Sequence, residues 1–415
     1  MKKVLILVTL AFFMLLSCGG KKDAATGDSA SKDGNKEISF MIWDKNQLPG
    51  MEAIAKAYEA KHPDVKIKVQ VTGWDEYWTK LEAAATGGAL PDVFWMHSTR
   101  FNDYASNGML LEMGPTIGDG YKNFPQDLVK LYELDGKNYA VPKDYDTIAV
   151  FYNKALFDKA GVPYPDGTWD WAKYLETAKK LTKDGVYGLA APMDAQQGYW
   201  NAIYQNGGYV VKDKKPGYSS TEAQAALQWW VDLSLKEKVS PTQAQFAETD
   251  PFTMFTSGKV AMIQLGSWMV PELEQNTEFV KTLGITYLPK GKVNATIYNG
   301  LGYSGSAKTK YPEVVKDFLK FCASEEANLL QAKHASAIPA YNGTQQGWID
   351  HNKTLDLKVF VEQLKYGVAF PTTKKGAQWR AYENELFGPV FDGKKDVKST
   401  TVEYDKRMSE IIATE

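Results

Sequence analysis

Apolar residues along this chain follow two rhythms, one of strands and one of helices, in alternation. Ile38 to Ile42 reads as a strand. Met51, Ile54, Ala55 and Tyr58 recur at helical spacing up to the stop at His62-Pro63. Val65 to Val71 alternates apolar with polar side chains, the pattern of a strand with one wet face. Trp74 to Thr86 reads as a helix closed by Gly87-Gly88, Val93 to Met96 as a buried strand, and Phe101 to Leu111 as renewed helical packing. Strand, helix and strand in that order predict a parallel α/β layer, since parallel strands need a crossover between them.

The pattern changes between Tyr139 and Lys154. Ile148 to Tyr152 is a continuous apolar, β-branched and aromatic run, which predicts a strand buried on both faces. The residues before it are polar and aromatic, and Pro142 fixes the backbone ahead of Lys143-Asp144-Tyr145-Asp146. The expectation is a rigid loop with two carboxylates and a phenol feeding a core strand. Such loops often carry binding groups, and a surface turn without a ligand fits the same residues. Further on, Thr168 is expected to cap a helix whose buried face is Trp171, Tyr174, Leu175 and Ala178. Phe252 to Ile263 reads as a short helix, a break at Gly258 and a strand. Pro312 to Ala327 reads as a helix with Cys322 among Val315, Phe318 and Leu319, and the C-terminal remainder is amphipathic helix.

At 415 residues the chain is too long for one typical core, so two lobes are expected. A net charge of -2 gives no case for nucleic acid, which needs a clustered basic surface. Lys2-Lys3 followed by an apolar run from Val4 to Leu16 is too short to span a bilayer and reads as an export signal. It ends at Ser17-Cys18, and the following stretch to Lys36 is a polar tether. His62, His97, His334 and His351 show no metal-ligand spacing, and neither a metal nor another cofactor is expected.

Trp43 and Asp44 fall just beyond the first strand, where ligands bind in open α/β sheets. Packing of Trp43 under the next helix, with Asp44 as its cap, fits equally well. Trp95 ends a strand. Arg100 is one of only three arginines and needs polar partners if buried, either ligand hydroxyls or an ion pair between lobes. Asp144 and Asp146 raise a secreted glycosidase as an alternative. Retaining enzymes, however, hold their carboxyls about 5–5.5 Å apart across the scissile bond, and two residues along one loop rarely face each other so.

The stretch "GKNYAVPKDYDTIAVFYNKALFDKAGVPYP" with "TWDWAKYLETAKKLT" after it, together with "GGALPDVFWM", Gly266-Ser-Trp268, Leu288-Pro289 and Ala337-Ile-Pro-Ala340, resembles the family 1 extracellular solute-binding proteins. These are sugar-binding lipoproteins of bacterial ABC importers, distantly similar to maltose-binding protein. The resemblance implies an α/β, two-lobe periplasmic-binding-protein (Venus flytrap) fold, each lobe a sheet flanked by helices, with hinge crossovers near Asp146, Pro289 and Pro339. It implies residues 1–17 as signal peptide and 18–36 as lipidated Cys18 and tether. One lobe would be 37–146 with 290–342, the other 147–289 with 343–415. The protein would be a non-catalytic, monomeric receptor, anchored to the cell membrane through Cys18 on the periplasmic or outer side, and would hand a sugar or oligosaccharide to its permease. A non-sugar solute such as a polyol phosphate stays open. The implied ligand residues are Trp43, Asp44, Trp95 and Arg100, then Asp144, Tyr145 and Asp146 in the first crossing. Gln197, Tyr199, Trp200 and Trp268 would line the second lobe, Trp268 or else its core. Gly266 and Gly300 would allow close ligand approach, and Trp379 with Arg380 would stack late in the chain, or else Trp379 lies under the C-terminal helix.

Overall fold

The computed structural model describes residues 36–335 and 337–415. The expected signal peptide and Cys18 lie outside the described residues, as does the tether up to residue 35. Among the described residues no helix is long and apolar enough to cross a membrane.

Lys36–Ile42 (β1), Val65–Val71 (β2) and Val93–His97 (β3) are joined by helices Leu48–Lys61 (α1) and Trp74–Gly87 (α2). Both β2 and β3 pair with β1 in parallel, as the strand-helix-strand order requires. Helix Ser98–Ser106 (α3) follows, one turn shorter than its apolar pattern suggested, because Gly108 takes a left-handed φ of 65°. Val141–Pro142 (β4) and, much later, Leu301–Gly305 (β9) complete a sheet of order β2-β1-β3-β9-β4.

The second sheet is built on Asp144–Asn153 (β5), flanked by Met262–Gly266 (β6), Leu283–Thr286 (β7), Thr296–Asn299 (β8), Ile338–Pro339 (β10) and Gly367–Ala369 (β11). All of these except β11 pair antiparallel with β5; β11 pairs with β8. Ile148 and Val150 enter one hydrophobic core and Ala149 and Phe151 another, so β5 is buried on both faces, as its apolar run predicted.

Two segments pass between the sheets side by side. One is β4 into β5, the other β8 into β9 through Gly300. Asp144, Tyr145 and Asp146 belong to β5 instead of a loop, because β10 and β8 pair with them. Likewise, Leu288-Pro289 does not return the chain to the first lobe. Lys290 N donates to Trp169 O at 3.0 Å, and 296–299 still pairs in the second sheet, so the return falls at Gly300 and residues 290–299 stay with the second lobe. A Cβ on Gly300 would lie 2.4 Å from Asp144 O, so this glycine serves the close passage of two backbones.

Two local expectations also change. The helix Trp171–Leu181 is capped by Asp170, whose Oδ1 accepts from Lys173 N at 2.8 Å, while Thr168 donates to Asp166. The 312–327 stretch is two helices, Pro312–Cys322 and Glu325–Lys333, broken where Ser324 caps the second. Cys322 is buried, and its burial pushes the thiol well above its usual range.

Candidate ligand-binding cleft

The strand ends and both crossings frame a cleft of about 860 Å³. On the first-lobe side, Trp43 follows β1 and Trp74 opens α2; their rings meet edge to face, with centroids 5.1 Å apart. Trp95 is fully buried behind Trp43, with centroids 5.1 Å apart at 86°, and Lys143 Nζ sits 4.3 Å from its ring centre. Trp95 therefore backs the aromatic wall without facing the cleft. Trp74 is 46% exposed and gives the wall its open face. The sequence reading took Trp74 only as a helix start. Its spacing of four from the buried Trp78 placed both on one side of α2, next to the end of β1, and was the signal available.

Polar groups rim this wall. Asp44 lines the cleft and also caps the turn after it: Oδ1 accepts from Asn46 N at 2.8 Å and Oδ2 from Gln47 Nε2 at 3.0 Å. The cap is thus present, and the same side chain lies on the cleft lining. Gln47 Oε1 in turn accepts from Lys143 Nζ at 2.6 Å, and Lys143, fully buried, pairs with Asp144. Asp144 Oδ1 accepts from Leu301 N at 2.8 Å, tying one crossing to the other. Tyr145 and Asp146 line the cleft beside them. Asp146 Oδ1 accepts from Asn299 N at 3.1 Å and from Gln196 Nε2 at 3.0 Å. Burial, then the neighbouring Asp144 carboxylate, push the Asp146 carboxyl well above the usual range. His97 is held down to about 3 by burial and by the charges of Arg380 and Arg100, so it stands neutral at the cleft floor. Its Nε2 lies 2.9 Å from Asn299 Nδ2.

The second-lobe side is led by Trp268, in the turn after β6. A Cβ on Gly266 would fall 1.8 Å from Trp268 Cζ3. The glycine seats the indole; it does not admit a ligand. Glu272 lines the same side and accepts from Asn46 Nδ2 at 3.2 Å, a contact across the cleft.

A smaller cavity of about 380 Å³ adjoins, lined by Gln197, Tyr199, Trp268 and Arg380, and it shares Gln196 and Trp268 with the main cleft. Trp200 is fully buried and donates from Nε1 to Tyr218 Oη at 2.6 Å. Trp379 is likewise fully buried, its Nε1 donating to Thr373 Oγ1 at 3.0 Å. It packs with Phe387 and Tyr404 in the second-lobe core and presents no face to either cavity. Arg100 pairs with Glu82 at 3.1 Å on the surface of its own lobe, its guanidinium 5.6 Å from the Trp78 ring centre, and lines neither cavity. Gly300 lies in the crossing described above. Among the described residues no group of three or more His, Cys, Asp or Glu stands together as metal ligands would.

The family model described as bacterial extracellular solute-binding protein matches residues 44–329. A maltooligosaccharide ABC transporter solute-binding lipoprotein of Streptococcus pneumoniae is 26% identical over 409 residues, 95% of this chain and 93% of its own length. A binding protein of Brucella abortus is 25% identical over 272 residues, 64% of this chain; the match spans 66% of that relative's length. Among solved structures, an ABC substrate-binding protein from Listeria monocytogenes in complex with cycloalternan aligns with a TM-score of 0.83 at 24% identity, covering 91% of this chain and 99% of its own. That likeness shows the two-lobe fold.

Proposed function

This chain belongs to the bacterial extracellular solute-binding protein family, and on that premise we propose that it is a receptor that captures a carbohydrate between its lobes and releases it unchanged to an ABC permease. The observation that carries the reading is the pairing of flat and forked groups across one cleft. Trp43 and Trp74 stand on one side and Trp268 on the other, with Asp44, Asp146 and Gln196 between them. A pyranose has C–H faces that pack on indoles and hydroxyl edges that bond to carboxylates and amides. The names of similar proteins, a maltooligosaccharide lipoprotein and a structure holding cycloalternan, support the same class of ligand.

A receptor without catalysis is supported by how the two candidate carboxylates are used. Asp144 is tied to Lys143 and to Leu301 N, and Asp146 to Asn299 N and Gln196, which leaves both as fixed acceptors in the crossing. Anchoring through Cys18 and placement outside the cell membrane complete the proposal, on the strength of the N-terminal sequence. A thermal-shift screen against mono- and oligosaccharides tests it. A specific binder raises the melting point by mass action; a panel with no binder, or turnover of any member, overturns the reading.

A further inference from the structure

A closed ring of hydrogen bonds runs behind the cleft at the level of Asp146. Asp146 Oδ1 accepts from Asn299 N in β8. Earlier in the same strand, Ile297 N donates to Asn201 Oδ1 at 2.8 Å. Asn201 Nδ2 donates to Gln196 O at 2.7 Å and to Gly198 O at 3.3 Å. Gln196 Nε2 returns to Asp146 Oδ1 at 3.0 Å and closes the ring.

Asn201 lies in the helix Trp200–Gln205, is 1% exposed and lines neither cavity. Its amide has one orientation, because Oδ1 meets a backbone N–H and Nδ2 meets two carbonyls. Gln196, by contrast, lines the cleft from a single π-helical turn, Ala195–Tyr199. Its Nε2 is engaged by Asp146, and among the described residues no donor meets Gln196 Oε1 or Asp146 Oδ2. A free glutamine side chain would have to be ordered when a ligand arrives; one held in advance binds without that entropy cost. The turn is also held from its other side. Asp194 accepts from Gln197 N at 2.8 Å and from Gln197 Nε2 at 3.0 Å, and Gln197 Oε1 accepts from Gly266 N at 3.0 Å. Loss of Asn201 would therefore release Gln196 while the tie to the seat of Trp268 stays.

We propose that Asn201 is a positioning residue for ligand recognition: it sets the backbone of Gln196 so that this side chain lies on Asp146 and the two present their free oxygens together to a ligand's hydroxyl donors. This rests on the carbohydrate reading of the cleft.

The test is a double-mutant cycle of Asn201→Ala and Gln196→Ala, with two readouts. Gln196→Ala keeps the backbone oxygen that Asn201 holds, so it removes the side chain without removing the brace. The first readout is titration calorimetry, with the carbohydrate that gives the largest melting shift in the thermal-shift screen as the probe. Asn201→Ala should weaken binding about tenfold in the parent and less than about twofold in the Gln196→Ala background. The second readout needs no ligand: the Asp146 carboxyl is titrated by NMR in the apo protein. The Gln196 donor holds that carboxyl down against burial and Asp144. Asn201→Ala should therefore move its midpoint up as far as Gln196→Ala does, and the double variant should move it no further. Asn201→Ser gives the same cycle should Asn201→Ala fold poorly. Parental affinity in the Asn201 variants, a loss that persists in full without the Gln196 side chain, or an unmoved Asp146 midpoint overturns the positioning role and leaves the receptor reading intact. A panel with no carbohydrate binder overturns the receptor reading and the recognition role with it, while the apo titration still reports by itself whether Asn201 holds Gln196 on Asp146.

Discussion

Trp74 and Trp379 are the same side chain in opposite surroundings. Trp74 is 46% exposed on the cleft wall, and Trp379 is fully buried under Tyr404 and Phe387. Trp74→Ala should weaken carbohydrate binding by about 2–4 kcal/mol, the scale of a hot-spot aromatic, and leave the apo melting point nearly unchanged. Trp379→Ala should cost the apo fold about 3–5 kcal/mol, the scale of a deleted core Trp. Calorimetry and apo melting on the two variants check both, and a swap of the two phenotypes would refute the placement. Asp146 adds a pH signature. Its carboxyl is raised in the folded state above the ordinary 3.8, so its contribution is fully present below that value and is lost as pH rises through the raised one. Asp146→Asn keeps an acceptor for Asn299 N and removes the titration. The variant's apo melting point should therefore gain on the parent's as pH rises above about 4, and a difference independent of pH would contradict this. At this scale Trp43 and Asp44 could be placed on the cleft side because they follow the end of the first strand, a position readable from apolar pattern, whereas Asp146 was singled out by the family resemblance. Trp74, Trp95 and Trp379 were not, because pattern shows that a Trp lies on an element but not which way its ring turns.

At the scale of elements, β5 was the most legible feature, since five apolar residues in a row leave no wet face. What the pattern could not show is that the polar residues before it also lie in the strand. Their pairing partners, β8 and β10, come from far along the chain, and such partners leave no local trace. The same holds for the return at Gly300: Leu288-Pro289 looked like a boundary, but residues paired across the sheet decide where the chain leaves it. Glycines gave a third lesson. Gly266 and Gly300 were expected to admit ligand, yet each yields to the protein's own atoms, the Trp268 ring and the Asp144 carbonyl. Gly266→Ala should therefore push the Trp268 indole from its seat while keeping the fold. Binding should fall about as far as in Trp268→Ala, roughly 2 kcal/mol or more. Calorimetry checks this, and parental affinity in Gly266→Ala would show that Trp268 contributes nothing to the cleft.

For the whole molecule, the side-by-side crossings at Pro142–Asp146 and Asn299–Leu301 are the natural hinge, joined by the Asp144 to Leu301 hydrogen bond. A ligand favours closure only through contacts made to both lobes at once. On the proposed reading Trp74 from one side and Trp268 from the other would supply such contacts, and the Asn46–Glu272 hydrogen bond spans the cleft. The two-lobe architecture was legible from chain length and from the order of strands and helices; the wall that each lobe offers was legible only in part. The central claim is that carbohydrate is held between these two walls. Titration calorimetry of the parent and of the Trp74→Ala, Trp268→Ala double variant tests it most directly. The account predicts saturable one-to-one carbohydrate binding by the parent, and its loss in a double variant that melts like the parent. Undiminished binding without either indole would contradict it.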